Sequence, residues 1–106
     1  MNRQELAAIM VQCSTQHGAL ALAREIEERL ERPPPALARL VAALGRWDDP
    51  VAIDDCVRDL LAAVDPIVEI RGSAVRTMLE GMAAATGKRA RAQRRARATA
   101  RRKGMP

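Results

Sequence analysis

Apolar side chains recur along this chain in steps of three and four residues, and no segment sustains the two-residue alternation of a strand. Leu6, Ile9, Met10 and Cys13 form the first stripe and predict a helix over 4–13, or over 4–17 if it reaches His17. The sequence STQHG breaks the pattern, and Gly18 suits a left-handed cap on that first helix. Leu22, Ala23, Ile26 and Leu30 predict a second helix over 19–31. Its other face, REIEERLER, offers the i,i+4 pairs Arg24–Glu28, Glu25–Arg29 and Glu28–Arg32 and reads as a solvated surface.

Pro33, Pro34 and Pro35 have no N–H to donate, so they end the second helix and form a stiff corner. Leu37, Leu40, Val41 and Leu44 predict a third helix over 36–44, with Gly45 as its cap. Asp49 followed by Pro50 is a helix start: a carboxylate to accept the free N–H groups, then a residue with φ already set. The fourth helix covers 50–64 and buries Ile53, Val57, Leu60, Leu61 and Val64. The same start signal at Asp65–Pro66 predicts a fifth, carrying Ile67, Ile70, Ala74, Val75, Met78, Leu79 and Met82, with Gly72–Ser73 as a kink or break. The fold class is all-α, a compact bundle of about five short helices with a basic C-terminal tail.

Composition sharpens this picture in two ways. Phe and Tyr are absent and there is one Trp, so the core must be built from Leu, Val, Ile, Met and Ala. Charge divides the chain: residues 1–86 hold nine Arg against thirteen Asp and Glu, a net of −4, and residues 87–106 hold seven Arg and two Lys, a net of +9. The chain therefore reads as a helical body, 1–86, and a basic Arg/Ala-rich tail, 87–106. Over 88–103 the only apolar side chains are alanines, which leave no stripe to bury, so the tail is expected to be disordered or frayed when unbound.

Catalytic signals are thin. Cys13 and the single histidine, His17, stand four residues apart, but no oxyanion-hole pattern accompanies them. Asp48, Asp49, Asp54, Asp55 and Asp59 lack the loop and ligand spacing of a calcium site; Asp49 reads as a cap, and Asp54, Asp55 and Asp59 as a solvated face. There is no phosphate-binding glycine loop and no dinucleotide fingerprint. The reading is a non-enzyme with no cofactor, no metal and no small-molecule substrate. Cys13 and Cys56 match no zinc or CxxC spacing and read as reduced thiols. With no secretory leader and no spanning apolar run, the expected location is the cytoplasm, away from membranes.

Two functional classes remain. The leading one is a small helical regulator that binds a partner protein, such as a transcription regulator, and occludes its interaction surface, with homodimerisation burying surplus apolar area. Its interface candidates are Leu6, Met10, Trp47, Met78 and Met82. The alternative is a nucleic-acid-binding accessory protein that grips phosphates through Lys88, Arg89, Arg91, Arg94, Arg95, Arg97, Arg101, Arg102 and Lys103. An acidic body lies poorly along a polyanion, and that ranks the tail reading second.

Overall fold

The computed structural model describes residues 3–67 and 74–104. They form five α-helices, α1 Arg3–Gln12, α2 Gln16–Arg29, α3 Pro35–Arg46, α4 Pro50–Val64 and α5 Ala74–Gly104, with no strand among the described residues. None of these helices is long and apolar enough to cross a membrane. Ile70 and the expected break at Gly72–Ser73 lie outside the described residues.

The core is aliphatic, as the composition requires. Leu22 and Ile26 of α2, Leu37, Leu40 and Leu44 of α3, Ile53, Val57, Leu60 and Val64 of α4, and Leu79 and Met82 of α5 are all buried. Helix α5 packs chiefly on α4 and α1, and α3 joins α2 to α4. Asp49 performs the expected cap, with Oδ1 accepting from the Val51 N–H at 3.1 Å and the Ala52 N–H at 3.4 Å. On the solvated face of α2, Arg29 pairs with Glu25 as expected, whereas Arg24 meets Glu27 rather than Glu28.

The glycines expected as caps do other work. Gly18 lies in the first turn of α2, which starts at the N-cap Thr15, and its N–H donates to Thr15 Oγ1 at 3.1 Å. A Cβ there would stand 2.0 Å from the Gln12 carbonyl oxygen, so Gly18 allows the end of α1 to pass close beneath α2. Because the chain turns at 13–15, α1 and α2 are separate helices, and the run Leu6, Met10, Cys13, His17, Leu20 makes no continuous seam. Gly45 lies within α3, and the left-handed cap is Trp47, with φ 54 and ψ 32. A non-glycine residue in that conformation costs about 1 kcal/mol. The cost is met locally: the Gln16 side chain donates to the Leu44 and Gly45 carbonyls at 3.1 and 2.9 Å, satisfying the end of α3.

Two expectations about the last helix are corrected. Asp65 starts no helix; its backbone is helical and its N–H donates to the Leu61 carbonyl, so it closes α4 and cannot take the extended shape of an N-cap. Its carboxylate instead receives Arg76 at 2.7 Å, and α5 begins at Ala74. Nor does the basic segment fray. Helix α5 continues through Gly87 to Gly104, and Thr86, Gly87 and Ala90 are buried. Gln93 Oε1 accepts from the Val51 N–H at 3.1 Å, so α5 supplies a second acceptor to the first turn of α4. Alanine's helix propensity and these anchors outweigh the repulsion among the cations.

Candidate functional site

The closest approach of α1 to a glycine of α5 is at Ile9 and Gly81. Ile9 rests directly on Gly81, where an added Cβ would lie 2.4 Å from Ile9 Cγ2. Beyond that contact an open groove of about 690 Å³ remains. Its lining is Ala7, Met10, Val11 and Ser14 on one side and Ala85, Lys88, Arg89 and Ala92 on the other. Helix α1 contributes no fully buried residue, and Val11 is 71% exposed, the outstanding exposed large apolar side chain among the described residues. The groove floor is therefore apolar, and the charged groups lining it are both cations.

The structure sorts the expected interface residues. Met10 is half-buried and lines the groove. Leu6 is also half-buried but lies off the groove lining. Met78 is half-buried in a separate, smaller cleft with Glu5, Ala8, Ile9, Ala74 and Thr77. Met82 is a correction: it is completely buried among the core side chains, because it follows Val75 and Leu79 at helical spacing on the face of α5 that meets the bundle. Trp47 is half-buried at the core edge, with the Arg89 guanidinium 3.9 Å above its ring. Arg89 also lines the groove, so the lone tryptophan is one contact away from it. Val11 was missed, although Ala7, Met10, Val11 and Ser14 repeat at i, i+3, i+4 and i+7 and mark a second stripe beside the one read from Leu6.

The basic residues divide as well. Arg89 stacks on Trp47, and Arg97 reaches Asp49 at 3.8 Å, so part of the positive charge answers the acidic body. Lys88, Arg91, Arg94, Arg95, Arg101 and Arg102 are exposed, while the Lys103 side chain lies outside the described residues. Asp54, expected on a solvated face, is 1% exposed. Its Oδ1 accepts from Thr86 Oγ1 at 3.2 Å. Arg58 Nε approaches Oδ2 at 3.1 Å but out of line for a hydrogen bond, so this oxygen is held by charge alone. A Cβ at Gly87 would meet Arg91 Nη1 at 3.4 Å and Asp54 Oδ1 at 3.7 Å, which places all three groups at one crossing of α4 and α5.

Chemistry at Cys13 is suppressed. Burial pushes its thiol up to about 11, so it is held as the thiol at neutral pH. Cys56, half-buried, is also raised, first by burial and then by Asp59. Both thiols are free, and His17 is exposed. Among the described residues, no three His, Cys, Asp or Glu side chains converge on one point. No protein-family model, curated protein or solved structure matches this chain.

Proposed function

We propose that this chain is a non-enzymatic helical protein that binds a partner protein by seating one of the partner's helices in the α1–α5 groove. The observation that supports this reading is the groove itself, an apolar floor with Val11 exposed beside it and Lys88 and Arg89 in its lining. An amphipathic helix lays its apolar face into such a groove, and flanking charges set its identity. The fitting occupant carries a ridge of small and aliphatic residues bordered by Asp or Glu. Met10 suits the task, because an unbranched thioether re-packs around different side chains. A partner held this way has its apolar ridge covered, and so withdrawn from its other contacts.

The charge of the groove favours a different protein over a second copy. Pairing two grooves about a two-fold axis brings Lys88 and Arg89 of both copies into one interface, with no acidic residue in the groove lining to answer them. The test uses the single tryptophan, since Trp47 lies under Arg89. A synthetic helix with an Ala/Leu ridge flanked by Glu is titrated into the full chain, and Trp47 emission is followed. Saturable binding that weakens with salt is expected, together with at least about a tenfold loss in the Val11→Glu variant, equivalent to 1.4 kcal/mol. Equal binding by wild type and Val11→Glu, or by a peptide of the same composition with its ridge scrambled, would overturn the proposal.

A further inference from the structure

Beyond Gln93, every position of α5 whose side chain is described is exposed, through Arg102 to Gly104. Eleven residues, 94–104, extend the helix by about 16 Å without adding to the core. At 100° per residue, Arg94, Arg97 and Arg101 fall in one row along this segment. Arg95 and Arg102 fall in a second row about 100° away, which Lys88 and Arg91 extend back toward the body. Ala98 lies between the rows, and Ala96, Thr99 and Ala100 occupy the opposite side. No acidic residue follows Glu80, so neither row is interrupted. One half of the projecting helix thus carries all five arginines, and the other half holds small residues with a single cation, Lys103, at its far end.

We infer that this segment lies in the major groove of duplex nucleic acid, with Arg94 and Arg101 of the first row directed at one phosphate backbone and Arg95 and Arg102 of the second at the other, while Arg97 stays on Asp49. An α-helix of about 10–12 Å diameter fills a major groove about 12 Å wide, and side chains at the edges of one half-cylinder then reach both walls. Arginine presents a planar fork to phosphate oxygens, and its predominance over lysine here suits that contact. Other polyanions fit less well. The side opposite the arginines is alanine, threonine and Lys103, which gives a bilayer no apolar face to take up. The segment has no aromatic side chain on which an unpaired base could stack. With Gln93 engaged by Val51 and no Asn in the segment, adenine edges find no amide partner, and with the arginines on the groove walls and Ala98 between them the binding is to the backbone without sequence preference. The acidic body is partly answered on the same helix, since Arg97 faces Asp49 and Asp54 is buried.

The experiment measures binding of the full chain to a 20-base-pair DNA duplex between 50 and 200 mM salt, beside single-stranded oligothymidylate and phosphatidylserine vesicles. With Arg97 held by Asp49, the four arginine–phosphate contacts of Arg94, Arg95, Arg101 and Arg102 give a salt slope near −3.6, a loss of about 150-fold across that range. The variant Arg94→Gln/Arg95→Gln/Arg101→Gln/Arg102→Gln removes all four, so the residual binding should be weak and change by no more than about 3- to 4-fold over the same range. Circular dichroism verifies that its helix content is unchanged. The inference is overturned by absence of duplex binding at 50 mM salt, by a slope that the fourfold variant leaves unaltered, by equal affinity for the single strand, or by vesicle binding that exceeds duplex binding. Val11→Glu should leave duplex binding unchanged, which separates this site from the groove.

Discussion

Gly81→Ala sets two known effects of opposite sign against each other. In an open helix interior, alanine in place of glycine stabilises by about 1 kcal/mol through backbone entropy. Here the new methyl would lie 2.4 Å from Ile9 Cγ2 and 2.7 Å from Ile9 Cβ. Ordinary carbon contacts are about 3.5–4.0 Å, so the shortfall exceeds an ångström. Ile9 cannot rotate its own Cβ away, and α1 must therefore retreat as a body. Forcing a methyl group into a filled contact costs about 1–3 kcal/mol, and the upper part of that range applies where a main-chain element has to move. The net effect is a destabilisation of about 1 kcal/mol, a fall in Tm of about 5 °C for a domain of this size. Because α1 has no fully buried residue, the loss should be local: α1 amides exchange faster while those of α3 and α4 do not. In an Ile9→Gly background both clashing atoms, Cγ2 and Cβ, are gone, and adding Gly81→Ala should raise Tm relative to that background instead. A rise in Tm for Gly81→Ala alone would refute the close contact from which the groove is built.

Three further outcomes follow from the same packing. Deleting 87–106 removes the buried Ala90, the Gln93 acceptor and the Arg89–Trp47 stack, and should lower the unfolding free energy in urea by about 2–3 kcal/mol; an unchanged midpoint would show that the basic helix does not pack on the body. Asp54→Ala should cost about 2 kcal/mol and Asp54→Asn less than half of that, because asparagine keeps an acceptor for Thr86; equal losses in urea unfolding would contradict that bond. Cys13 ionises near 9.0 when unfolded and about 11 when folded, so its contribution is intact below pH 9 and is lost as pH rises to about 11. Stability measured across that window should fall less steeply in Cys13→Ala, and iodoacetamide should label Cys13 in the native protein at pH 8 only at the rate of unfolding.

The body was legible because its helices are amphipathic and their starts carry chemistry. The stripes of α2, α3 and α4 and the Asp49–Pro50 start fall where the spacing put them, except that Leu30 is the extended cap of α2 and Leu61 is only half-buried. The basic helix was not, because its anchors are single residues without a pattern: one alanine, Ala90, one amide, Gln93, and a glycine, Gly87, that leaves room beside Asp54. Asp54 and Asp55 are adjacent and identical in type, and only tertiary packing decides that the first is buried against Thr86 while the second faces solvent. The second Asp-Pro pair failed as a start signal for a similar reason, since Asp65 was taken up by Arg76 and by the end of α4. At the candidate site Met10 could be named from its stripe. Met82, on an equally apolar stripe, is core, because periodicity identifies a face without saying what covers it.

The groove as a binding surface is tested most directly by methyl NMR of the full chain labelled with ¹³C at the methionine methyls. Met10 lines the groove, Met78 lies in a separate cleft and Met82 is in the core, so the three report on three different places. On titration with the Glu-flanked Ala/Leu helix, the Met10 resonance should shift in a saturable way while Met82 stays fixed. A shift at Met78 with Met10 unmoved, or no methyl shift at saturating peptide, would contradict the account.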